Sequence, residues 1–158
     1  MPSTSRLLLG VALLAGVAGL AVFGSIESRA ATGPEFIRIS DRQFGYTRVD
    51  VGRRGLSPGD QEIVFDKLFN RRITRKPIGT ARFVCTFTVG RTRVCTGTIN
   101  LPKGEVVVTG TVRFRRFYAL AIVGGTGLYD NARGTLTVIR TTDRPRAIRE
   151  FLYFRLAG

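Results

Sequence analysis

Between Val123 and Gly134 the chain carries Gly124, Gly125, Gly127 and Gly134, set between two runs rich in apolar and β-branched residues. Glycine at that density marks a backbone that turns sharply or passes close to another strand where a Cβ would not fit. Similar punctuation governs everything beyond about residue 35. Short extended runs at 35–40, 60–68, 79–89, 94–101, 105–114, 117–123, 132–142 and 147–156 alternate with turn signals. The latter are Gly55-Leu56-Ser57-Pro58-Gly59, Arg75-Lys76-Pro77, Gly90-Arg91, Pro102-Lys103-Gly104, the glycine segment and Asp143-Arg144-Pro145. No window of helical length shows a helical period. Closely spaced strands of this kind predict an all-β fold, an eight-stranded antiparallel up-and-down barrel. Its interior holds either packed side chains or one small ligand. Residues 41–58 fit no strand pattern and are expected to form a long loop near a barrel mouth.

The faces of these strands can be assigned from alternation. Ala81, Phe83, Cys85, Phe87 and Val89 share one parity, opposed by arginine and threonine; Cys95, Gly97, Ile99 and Leu101 share another apolar face. A hairpin centred on Gly90 places Cys85 directly opposite Cys95. Opposed residues have Cα atoms about 4.5–5.5 Å apart, close to what a disulfide needs, so a Cys85–Cys95 bridge is predicted. Val106, Val108, Gly110, Val112 and Phe114 form the next apolar face. The run 117–123 is apolar on both faces, which calls for a central position or an outer cover by a loop or partner.

The N-terminus reads as a secretory signal peptide over residues 1–30. Arg6 precedes the charge-free run Leu7–Gly24, and Ser28 and Ala30 supply a small-residue exit. The competing reading is an uncleaved membrane anchor, since the run is close to the minimum length of a span. Residues 31–158 then suffice for one domain with one core, and export supplies an oxidising compartment for the disulfide. The net charge is +14, with arginine far outnumbering lysine. Such an excess confers solubility and favours weak, non-specific association with anionic polymers. It specifies no nucleic-acid partner.

Several chemistries are excluded. The chain has no histidine, which removes histidine-based triads and most zinc sites. With both cysteines assigned to a bridge, thiolate catalysis and thiolate metal sites go too. The acids Glu35, Asp41, Asp50, Asp60, Glu62, Asp66, Glu105, Asp130, Asp143 and Glu150 are scattered, with no spacing that suggests a calcium loop or a glycosidase dyad. Gly125-Thr126-Gly127 lacks the third glycine and following helix of a phosphate-cradling loop. No metal or cofactor is therefore expected.

Gly124-Gly125-Thr126-Gly127 followed by Ala132-Arg133-Gly134 resembles the GGTG…ARG signature of the dirigent and allene oxide cyclase barrel superfamily. Gly59-Asp60 through Leu68, Gly79 to Cys85, and Gly97 to Gly110 are similar to strands of its bacterial secreted members. The resemblance implies an apolar cavity that holds a fatty-acid-derived or phenolic molecule in one conformation and directs its cyclisation or coupling without a cofactor. Conformer restriction in a dry cavity is the physical basis. Arg133 matches the motif arginine that lines the dirigent pocket, although its parity groups it with Thr135 and Thr137. Tyr118, which shares parity with Leu120 and Ile122, and Glu35, nearest to the cyclase glutamate, complete the catalytic candidates. Phe83, Phe87, Leu120 and Ile122 join Arg133 and Tyr118 as ligand-binding candidates. The acid that dirigent proteins carry before the glycine motif is absent near Ala119 and Leu120. The rival expectations are a non-catalytic basic module for anionic extracellular polymers and a structural homo-oligomer, dimer or trimer, built on the run 117–123.

Overall fold

The structure of the protein, a computed structural model, describes residues 35–70, 76–113, 116–142 and 148–157. The expected leader, Phe114 and the Asp143-Arg144-Pro145 turn lie outside the described residues. The strands are β1 (Glu35–Val49), β2 (Gln61–Asn70), β3 (Gly79–Phe87), β4 (Arg93–Leu101), β5 (Gly104–Val112), β6 (Phe117–Gly125), β7 (Arg133–Thr142) and β8 (Arg149–Ala157). They pair antiparallel in sequence order, and β8 pairs back onto β1 to close the barrel. The connections after β1, β3, β5 and β7 share one end, the upper end. Those after β2, β4 and β6 share the lower end with Glu35 and Ala157.

Alternation places side chains inside as the pleat requires. Ala81, Phe83, Cys85 and Phe87 of β3, Cys95 and Ile99 of β4, and Val106, Val108 and Val112 of β5 are all buried. Cys85 and Cys95 are direct partners in the β3–β4 ladder and form a disulfide inside the barrel. Gly97 lies opposite Phe83, and a Cβ there would collide with the phenyl ring. The lower half is filled: Leu68, Ile99, Val106, Val108, Leu136, Val138, Leu152 and Phe154 are essentially inaccessible to water. Each large apolar side chain removed from water in this way contributes about 1.5–3 kcal/mol.

The glycine segment closes that lower end. Gly127 opens a single 3-10 turn, Gly127–Tyr129, with φ at +63°, where a Cβ would also strike the Lys103 carbonyl. The backbone amides of Thr126 and Leu128 donate to the carbonyls of Glu105 (2.8 Å) and Lys103 (3.0 Å). The β6–β7 turn is thereby laced to the β4–β5 turn.

The expected loop over 41–58 is corrected in its first half. β1 continues to Val49, paired with β2 throughout and carrying an irregularity between Gln43 and Gly45. The bulge and the charged inward residue Asp41 break the apolar alternation that would have revealed a strand. Only residues 50–60 form the connection, folded around Asp60. That carboxylate accepts hydrogen bonds from the amides of Val51 (2.8 Å) and Ser57 (2.9 Å) and from Arg48 (2.8 Å). Together they hold it ionised, well below the usual carboxylate range.

On the outer wall the doubly apolar β6 stays uncovered among the described residues. Phe117 and Val123 are exposed, and ladder pairing aligns Phe117, Ile139 and Phe151 in one row across β6, β7 and β8.

Candidate functional site

The upper half of the barrel contains a cavity of about 1260 Å³. Its apolar wall comprises Val64, Phe83, Cys85, Cys95, Val112 and Leu120. Facing that wall, β2, β1, β8, β7 and β6 carry polar inward residues in succession: Asp66, Asp41, Glu150, Arg140 and Tyr118. Pairing sets their order, since Asp41 lies opposite Glu150 across β1–β8 and Arg140 opposite Glu150 across β7–β8.

These side chains are linked. The Tyr118 hydroxyl donates to Glu150 Oε2 at 3.3 Å. Arg140 donates from Nε to Glu150 Oε1 at 2.9 Å, and its Nη2 lies 2.9 Å from the same oxygen. The Glu150 amide donates to Asp41 Oδ1 at 2.9 Å, whereas Asp41 Oδ2 is buried with no hydrogen-bond partner among the described residues. Asp66 borders the cavity and is only 4 % exposed. A second buried pair, Glu62 with Arg93 at 3.4 Å, lies further up the wall, and Tyr46 donates to Glu62 at 2.9 Å.

Arg140 is hydrogen-bonded within a cluster of three buried carboxyls and Arg93 acts on Glu150 from further away, so the cluster cannot keep all of them ionised cheaply. Burial, followed by the charges of Glu150 and Asp66, pushes Asp41 well above the usual carboxylate range. Burial, reinforced by Glu150, pushes Asp66 up to about 7. Burial also raises Glu150, against the opposing pull of Arg140. The Tyr118 hydroxyl is raised by burial and then by the charges of Glu150 and Asp41, so it stays protonated. The cavity therefore presents carboxyls that burial shifts toward the neutral acid and a phenol beside the Arg140 cation, opposite an apolar wall. Such a surface can donate a proton to an oxygen or nitrogen of a bound molecule and can take one back.

The residues singled out from sequence are distributed unevenly. Tyr118, Leu120, Phe83, Cys85 and Cys95 line the cavity. Phe87 is buried, with the Arg93 guanidinium 5.8 Å from its ring centre, and Ile122 is buried in the core. Glu35 stands at the lower mouth beside a separate cleft of about 380 Å³. The placement of Arg133 in the pocket is corrected: it is exposed on the outer wall, and its Nη1 donates to the carbonyls of Val123 (2.7 Å) and Ala132 (2.9 Å). Its parity with Thr135 and Thr137 prevails, because inward positions of β7 belong to Leu136, Val138 and Arg140.

Asp41, Asp66, Glu150 and Arg140 lie far apart in the sequence, so their spacing alone does not reveal them as a group. A signal existed nevertheless. Asp66 shares parity with Leu68, and Glu150 with Leu152, Phe154 and Leu156. A charge on the apolar face of a strand is an inward charge.

No family model matches the chain, and no curated protein matches its sequence. Solved structures do. A pyocyanin demethylase superposes with a TM-score of 0.63 at 27% identity, over 76% of this chain and 99% of its own. The Diels-Alderase AbmU from Streptomyces koyangensis gives a TM-score of 0.63 at 15% identity, over 82% of this chain and 72% of its own. A pterocarpan synthase dirigent protein gives 0.61 at 17% identity, over 79% of this chain and 85% of its own. The chain shares its closed eight-stranded barrel fold with these proteins, the dirigent protein and the Diels-Alderase among them.

Proposed function

We propose that the protein encloses a small, largely apolar molecule, fatty-acid-derived or phenolic, in the upper half of the barrel and directs by proton transfer its cyclisation, or its coupling when it arrives already oxidised to an electrophile such as a quinone methide. The carrying observation is Asp66: a carboxyl bordering the cavity, nearly buried, and pushed up to about 7. A carboxylic acid that is half neutral near physiological pH can protonate a carbonyl, epoxide or leaving oxygen and return as the base. Tyr118 adds a second donor, and the Arg140–Glu150 pair fixes the local field. The apolar wall restricts the conformers of the bound molecule, which selects one product geometry. A Diels-Alderase and a pterocarpan synthase dirigent protein of the same fold support this reading. The proposed setting is outside the cell, as the N-terminal run and the Cys85–Cys95 bridge both suit export.

The test is extraction of small molecules from protein purified without denaturation from its secretion medium. An apolar or aromatic compound is expected to be released, and to be converted by the wild type but not by Asp66→Asn. Conversion by both proteins at equal rates would contradict the role of Asp66. A barrel that binds no such compound under any condition would contradict the cavity reading.

A further inference from the structure

The upper cavity has an opening that its acid cluster does not explain. Lys67 of β2, Arg42 of β1 and Arg149 of β8 are direct ladder partners, Arg42 lying opposite Lys67 on one side and opposite Arg149 on the other. Directly opposed residues share a face and stand about 4.5–5.5 Å apart, and like charges so placed destabilise a sheet. All three are exposed, and all three border the cavity. Lys67 sits 5.2 Å from the ring centre of Phe44, beside the β1 bulge. None of the three has an acidic partner among the described residues. Their chain neighbours Asp41, Asp66 and Glu150 all face inward and are buried. At these three neighbouring ladder positions the acids face inward and the cations outward, leaving a row of cations with no acidic partner among the described residues where the cavity opens.

We infer that Lys67, Arg42 and Arg149 form an anion-binding site at the cavity lip. It captures the negatively charged end of the ligand whose apolar body lies against Val64, Phe83 and Leu120. The inference rests on the cavity reading above and narrows it to amphipathic organic anions such as carboxylates. Two guanidiniums can grip a carboxylate through paired N–H donors, and the lysine adds a point charge. The lip is exposed, so its attraction weakens with salt. Held there, the anion stays apart from the inward carboxyls, which would repel it.

The test compares two fluorescent probes with the same aromatic body, anilinonaphthalene sulfonate and its uncharged parent phenylnaphthylamine. At low salt the wild type is expected to bind the sulfonate at least about tenfold more tightly than the parent, the gain of one charge-assisted contact. Arg42→Gln/Lys67→Gln/Arg149→Gln should abolish that preference while leaving affinity for the parent unchanged, and Arg42→Gln alone should remove part of it. A control set, Arg82→Gln/Arg133→Gln/Arg155→Gln, removes equal charge from exposed outer positions and should keep the preference. Retention of the preference in the lip variant, or its equal loss in the control, would overturn the inference. Failure of phenylnaphthylamine to bind the wild type would instead overturn the cavity reading itself.

Discussion

The two halves of this barrel are built from the same eight strands and have opposite interiors. In the lower half, inward positions are Leu68, Ile99, Val106, Val108, Leu136 and Leu152, which leave almost no accessible surface. In the upper half the inward positions include Asp66, Glu62, Arg93, Tyr118, Arg140 and Glu150, arranged around about 1260 Å³ of space. Packed apolar side chains gain from burial, whereas buried charges lose solvation that pairing only partly restores. The lower half therefore supports the fold, and the upper half carries the cost of its buried charges.

That contrast makes its largest prediction in truncation. Leu68→Ala, in the filled half, should cost about 2–5 kcal/mol in chemical denaturation. Val64→Ala, four residues away on the same face but bordering the cavity, should cost less than about 1.5 kcal/mol, because it enlarges an existing space. Equal costs would mean that the upper half is as tightly packed as the lower. Next in size, replacing both cysteines, Cys85→Ala with Cys95→Ala, should cost about 2–3 kcal/mol and lower the thermal midpoint accordingly.

A smaller effect has a definite sign. The Asp66 carboxyl is raised from its ordinary 3.8 to about 7 in the folded protein. Between those values the folded state holds a proton that the unfolded state has lost. This stabilisation is complete below about pH 4 and disappears as pH rises through about 7. Asp66→Asn should therefore gain about 1–3 kcal/mol at pH 8 relative to wild type and nothing at pH 4. Denaturation at the two pH values reads this directly, and a gain at low pH instead would reverse the assignment. The smallest effect belongs to Arg133→Ala, which should change stability by less than about 0.5 kcal/mol. It should leave phenylnaphthylamine affinity unaltered, and a lost affinity would return Arg133 to the site.

The lower half was legible in the sequence and the upper half largely was not, for one physical reason. Alternation announces a strand when its inner face is uniformly apolar, as in Ala81–Phe87 and Val106–Val112, and it also delivered the Cys85–Cys95 pairing. It fails where charge points inside, as at Asp41, so β1 beyond Ser40 carries no strand pattern. The glycine segment carried the fold resemblance correctly, but its role in the structure is to lock the lower turns together, away from the acids. The motif therefore points to Arg133 and away from Asp66. Tyr118 was found because its strand is apolar enough for parity to be read.

The most direct test is a carboxyl carbon-13 titration of aspartate-labelled protein, with and without phenylnaphthylamine. The account predicts that Asp66 titrates near pH 7 in the free protein. It also predicts an upward move when the probe displaces water from the cavity, because desolvation favours the neutral acid. Titration of Asp66 in the ordinary carboxylate range, unmoved by the probe, would contradict the claim that the upper half holds a buried, proton-transferring acid at its binding site.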